Sequence, residues 1–178
     1  QQTQRREQLE QLRNAAALCR EVELLLEEPD EDLARGRLQG IDARWNSRSA
    51  LDDSDTEELM QQRYARAQTA VIAGDEERQR LSAELSANLA KRQDLCLRME
   101  ILAGVESPPE LRQARLQLQA SRLAGAMAQG AGDIFGSRAK LEHDWYLCAA
   151  APAEQESLLQ QRFDAARNQC PRDDEPRD

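Results

Sequence analysis

The chain has 178 residues, enough for one domain or for two small ones sharing a core. Ala, Leu, Arg, Glu and Lys supply 94 of them, while Val and Ile together supply only seven, which excludes a β-sheet core and points to long helices or coiled coil. A formal net charge of -9 works against a purely electrostatic grip on DNA or RNA, and no apolar run approaches the roughly 18 to 20 residues needed to cross a bilayer.

In chain order, Leu9, Leu12, Ala16, Cys19 and Leu26 recur at helical spacing and predict an amphipathic lead-in helix over residues 1–28, stopped by Pro29. Its two-sided pattern leaves pairing within the chain or with a second copy as alternatives. Asp30, Glu31 and Asp32 suit the start of a second helix, with Leu33, Leu38, Ile41 and Trp45 on its apolar face. Ser54-Asp55-Thr56-Glu57 has the form of a capping box and opens a third helix through Leu59, Tyr64, Ala67 and Val71. Gly74 followed by Asp75-Glu76-Glu77 marks a kink or a fresh start. The long helix then runs to Gly104 with Leu81, Leu85, Leu89, Cys96 and Met99 as its stripe. Ser107-Pro108-Pro109-Glu110 reads as the cap and first turn of a helix over 108–129, with Leu116, Ala120, Leu123 and Met127 on one face. Gly130 to Gly136 is expected as a flexible loop. Leu141, Trp145 and Leu147 lie on a further helix, Pro152 opens the last, and the acidic stretch 171–178 is expected as a disordered tail.

An internal repeat stands out. Leu59-Met60-Gln61-Gln62-Arg63-Tyr64-Ala65-Arg66-Ala67 aligns with Leu158-Leu159-Gln160-Gln161-Arg162-Phe163-Asp164-Ala165-Ala166, and a tryptophan, Trp45 or Trp145, precedes each aromatic by 19 or 18 residues. The predicted fold is therefore all-α: elongated antiparallel helical hairpins with long helices, including two copies of a helix-turn-helix repeat. The copies span about 38–70 and 141–169 of a repeat domain over 30–170, joined by the long helix 75–104 and the helix 108–129. Trp45, Arg63, Tyr64, Trp145, Arg162 and Phe163 are its expected structural core, each tryptophan meeting its aromatic as a clamp and each arginine stacking on a ring or pairing with an acid.

These residues, with the run Arg98-Met99-Glu100-Ile101-Leu102-Ala103-Gly104-Val105-Glu106-Ser107-Pro108, make roughly residues 35 to 170 resemble a bacterial family, domain of unknown function number 349. That family is built of helical repeats with a tryptophan followed by an Arg-Phe step, and Tyr64 departs from its phenylalanine. The resemblance implies the architecture and no activity, cofactor or catalytic residue.

Chemistry is sparse. His143 is the single histidine, between Glu142 and Asp144, which fall on different sides of a helix and do not converge on a metal. Cys19, Cys96, Cys148 and Cys170 form no C-x-x-C pair and are expected as free buried thiols of a cytoplasmic protein. There is no phosphate-binding glycine loop. No catalytic, metal or cofactor residues are expected.

One asymmetry remains. Residues 111–141 carry Arg112, Arg115, Arg122, Arg138 and Lys140 against Asp133, a balance of +4 in a chain whose remainder is -13. On a helix Arg112, Arg115, Gln119 and Arg122 form a stripe about 80° wide. It is the candidate contact for an anion or a partner, with internal pairing as its competitor. The functional expectation is a non-enzymatic helical interaction module, the C-terminal part of a larger bacterial repeat protein, holding a protein partner. The alternative is an RNA- or ribosome-associated factor using the basic stripe 112–140, and a membrane is not expected.

Overall fold

A computed structural model of the chain describes residues 1–129 and 135–172. Among the described residues all regular structure is helical: seven α-helices and two short 3-10 turns, with no strand. The helices are α1 (Gln2–Leu24), α2 (Glu31–Ser47), α3 (Ser54–Ile72), α4 (Asp75–Ala103), α5 (Arg112–Gln129), α6 (Arg138–Leu147) and α7 (Ala153–Gln169). Most of the expected tail, 173–178, and most of the expected flexible loop lie outside the described residues.

Local chemistry sets the boundaries. The Asp30 carboxylate accepts the backbone N–H groups of Asp32 (3.0 Å) and Leu33 (3.1 Å), capping α2. The expected capping box of α3 shifts by one residue. Asp53 is the N-cap, accepting from Thr56 N, and Glu57 reaches back past the cap to Leu51 N (3.0 Å). The chain breaks cleanly at Ala73 and Gly74, with three acids in the first turn of α4. Gly104 ends α4 at φ +69°, a conformation that favours glycine. Val105 N there returns to Glu100 O and Gly104 N to Ile101 O, which satisfies two otherwise orphaned carbonyls. Pro109–Leu111 form a 3-10 turn before α5, so the proline pair delays the helix to Arg112.

The chain divides into two compact units: Gln1–Leu89 with Tyr146–Glu156, and Ala90–Trp145 with Ser157–Asp178. In the first, α1, α2 and α3 pack on one another. Contacts Glu21–Arg44 and Glu28–Arg37 run α1 and α2 antiparallel, while Cys19 to Met60 O and Glu23 to Arg63 run α1 and α3 parallel. The core between them is built largely of small side chains, Ala15, Ala16 and Cys19 from α1 and Ala34 from α2, closed by Leu38, Ile41, Trp45, Met60 and Tyr64. Small residues let helix axes approach closely, and each fully buried larger side chain contributes about 1.5–3 kcal/mol. The apolar face of α1 is thus covered within the chain.

Two face assignments move by one residue. Leu33 and Leu59, expected inside, are exposed, while their neighbours Ala34 and Met60 are buried. On α2 the small Ala34 takes the tight interface in place of Leu33, while on α3 Met60, no smaller than Leu59, fills the core.

Candidate functional site

In the first unit, the Trp45 and Tyr64 rings stack with centroids 4.0 Å apart and planes 5° from parallel. The Arg48 guanidinium lies 3.8 Å from the Trp45 ring centroid. Sterics require it on the opposite face, so the indole is sandwiched between cation and phenol. Arg48 also forks onto Glu57 (Nη2–Oε1 2.6 Å, Nη1–Oε2 3.1 Å). That hydrogen bonding, opposed by burial and aided by Leu51 N–H and Gln61, holds the Glu57 carboxyl down at about 2. Tyr64 Oη donates to Asp42, and burial followed by that bond pushes its pKa up.

Arg63 does not stack on a ring. Its Nε and Nη2 fork onto Glu23 at 3.1 and 2.6 Å, and its Nη1 donates to Tyr146 O at 2.7 Å. Glu23 additionally accepts Ala150 N at 3.1 Å. Burial opposes the charge on Arg63, and the Glu23 carboxylate more than reverses this, so its pKa is raised. Cys19, one turn before Glu23, points its Sγ at Met60 O, and burial pushes its thiol up to about 12.

The second unit repeats these contacts. Trp145 and Phe163 stack at 4.1 Å and 4°, Arg92 lies 4.1 Å from the Trp145 ring, and Arg162 pairs with Glu100. Cys96, again one turn before the glutamate, points its Sγ at Leu159 O, and burial again pushes its thiol up to about 12. Sequence reading found the tryptophans, the aromatics and the paired arginines. It missed Glu23, Glu100, Arg48 and Arg92. The signal for the glutamates is Leu18-Cys19-Arg20-Glu21-Val22-Glu23-Leu24-Leu25 against Leu95-Cys96-Leu97-Arg98-Met99-Glu100-Ile101-Leu102, at a different offset from the tryptophans. Phe163 has no hydroxyl, and Glu142, at the place matching Asp42, takes Arg138 instead.

These clusters are packing elements whose charged groups mostly find partners inside the chain, with Arg48 Nε and Arg162 Nε among the buried atoms left without a hydrogen bond. Among the described residues, no group of histidines, cysteines and carboxylates could hold a metal ion, and His143 is half-exposed beside Asp144 at 4.0 Å. All four cysteines are buried thiols outside any disulfide. Among the described residues, no helix is long and apolar enough to cross a membrane.

The surface of α5 differs from all of this. Leu116, Leu123 and Met127 are 58, 64 and 80 % exposed, and Ala120 between them is exposed too. The other side of the helix, with Leu111 of the preceding turn, Ala114 and Leu118, is half-buried. The basic residues expected to form one stripe have separate roles. Arg115 turns back to Val105 O (2.5 Å) and Ser107 Oγ (2.8 Å), which tethers the start of α5 to the turn before it. Arg122 lies 4.9 Å from the Phe135 ring, and Arg98 bonds Phe135 O. Arg138 holds Glu142 and Cys170 O, and Lys140 holds Asp144. Only Arg112 and Gln119 of the six are exposed without a partner among the described residues. The long reach of arginine lets a side chain on a nominally outward register return to a nearby carbonyl.

No protein-family model, curated protein or solved structure matches the chain.

Proposed function

We propose that the chain is a non-enzymatic helical interaction module that holds a protein partner, built on two copies of one three-helix unit: α1, α2 and α3, then the second half of α4 with α6 and α7. The duplication is supported by the recurrence of the Trp–aromatic stack, the Glu–Arg pair and the Cys-to-carbonyl contact at matching places. The resemblance to family number 349, a bacterial and cytoplasmic setting, and a larger repeat protein around this chain belong to the same proposal.

The observation that carries the binding reading is the outward apolar row Leu116, Leu123 and Met127 on α5, in a chain whose other aromatic and ionic clusters are closed in on themselves. The RNA alternative rests on the basic stripe. Most of those cations already hold internal carbonyls, carboxylates or a ring, so the protein reading is the better supported.

Affinity capture with the whole chain, with and without nuclease, tests it. A stoichiometric protein that survives nuclease and is lost with Leu123→Asp/Met127→Asp is the expected result. Capture that collapses on nuclease treatment and is indifferent to those substitutions overturns it.

A further inference from the structure

We infer that α5 is a docking helix for an acidic amphipathic helix of a partner protein, an inference that rests on the protein-binding reading and names its partner. The first ground is the place of α5 in the duplicated plan. From Glu23 to Trp45 the chain advances 22 residues, and from Glu100 to Trp145 it advances 45. The surplus holds α5. Both units complete their Trp–aromatic stack and Glu–Arg pair, so the first unit forms these contacts without any counterpart of α5. An inserted helix that the common packing does not require, and that turns its larger apolar side chains outward, has its use outside the core.

The second ground is the surface itself. Leu116, Ala120, Leu123 and Met127 recur at i, i+4, i+7 and i+11, within an arc of about 60° and over about 16 Å of helix. That is the spacing at which another helix seats its own side chains. Arg112 and Gln119 rim one edge, Gln113 and Gln117 the other. Across its 18 residues α5 has three arginines and no carboxylate, in a chain with 33 acids, so it carries +3 against -12 elsewhere. The row of four side chains is well short of the roughly 800 Å² per partner of a stable protein pair, so an occupant needs help from charge.

Pairing of α5 with the α5 of a second copy is a poor fit, because it brings no carboxylate to the Arg112 edge. The chain's own acidic end is another poor one, since 173–178 reads Asp-Asp-Glu-Pro-Arg-Asp and has no apolar side chain to cover the row. An amphipathic helix with leucine-like anchors and flanking carboxylates meets both requirements. A lipid surface is the competing source of apolar and anionic groups, but α5 lacks the tryptophan, tyrosine and lysine that anchor interfacial helices.

The test uses the whole chain and three labelled 18-residue helical peptides with the same leucine row and Glu, Lys or Gln at the remaining positions, read by fluorescence anisotropy. The Glu peptide is expected to bind at least tenfold tighter than the Lys peptide and to weaken several-fold between 50 and 300 mM salt. Leu123→Ser/Met127→Ser should cost tenfold or more and Arg112→Glu should erase the preference for Glu over Lys. Leu59→Ser, an exposed leucine on α3, should change nothing, with unchanged thermal melts showing that each variant folds. Equal binding of the Glu and Lys peptides, or indifference to the α5 substitutions, overturns the inference. So does tighter binding to vesicles containing a quarter phosphatidylglycerol than to the Glu peptide. Failure of peptide selection while nuclease-resistant capture persists removes only this inference, whereas loss of that capture removes the binding reading as well.

Discussion

The two tryptophan sandwiches have nearly the same geometry and take their cation from different places. Arg48, three residues after Trp45, covers the first indole; the matching position after Trp145 is Cys148. Arg92, eight residues before Glu100, covers the second; the matching position before Glu23 is the fully buried Ala15. What recurs is a guanidinium over the ring, not an arginine at a fixed position. A planar cation on a long stem is suited to such exchange, because it can reach one spot from a loop or from a neighbouring helix. Arg48 gains the Glu57 fork in addition, so the loop after α2 is tied down by the cation that covers the ring.

The largest test of this comparison lies in the glutamates. Glu23→Ala should cost about 3–5 kcal/mol in urea unfolding, because it strands a buried guanidinium and the Ala150 N–H. Glu100→Ala should cost less. Arg162 presents Nη2 to Glu100, while its Nε is buried without a hydrogen-bond partner, so a less complete network is lost. Equal losses would show that the bond to Ala150 N carries no weight.

Next comes the exchange itself. Arg48→Ala should cost about 1–3 kcal/mol through the lost stack and the stranded Glu57. Adding Ala15→Arg should lower the midpoint further, because Ala15 is fully buried in the small-residue core and leaves no room for a guanidinium. Partial recovery would instead show that the two routes to the ring are interchangeable.

The acid limb of the stability curve sharpens the same point. Glu57 is held at about 2 against an ordinary 4.5, so its contribution is fully present above 4.5 and disappears as pH falls through about 2. After solvent screening, stability of about 1–2 kcal/mol should be lost across that window, and Glu57→Gln should flatten the loss. The smallest effect belongs to α5. Leu123→Ser/Met127→Ser should move stability by no more than about 0.5 kcal/mol per site, in contrast to any substitution at the stacks.

The helical class was legible from composition, and the stacked pairs were legible because Trp45 and Tyr64 keep nearly the spacing of Trp145 and Phe163. The likeness of α1 to the second half of α4 is harder to see, because the offset is about 100 at the tryptophans but 77 at Cys19 and Cys96, with α5 lying between, so a search at one period finds only half of the recurring contacts. The stacking arginines were hidden for the reason that makes them instructive, since Arg48 and Arg92 do not align. The use of the basic stripe stayed open in the sequence because angular position on a helix locates Cα atoms, while the Arg115 guanidinium lies several bonds away, on Val105 O.

The bond from Ala150 N to Glu23 spans 127 residues, and Arg63 waits for Tyr146 across 83. During synthesis α1, α2 and α3 leave the ribosome early, yet the network around Glu23 stays incomplete until residues 146–150 follow. From the end of α3 to residue 150 at about 5–20 residues per second, that interval is roughly 4 to 16 s. Throughout it Arg63 and Glu23 lack their partners on residues 146–150, so the buried charge pair is completed only by the second half of the chain.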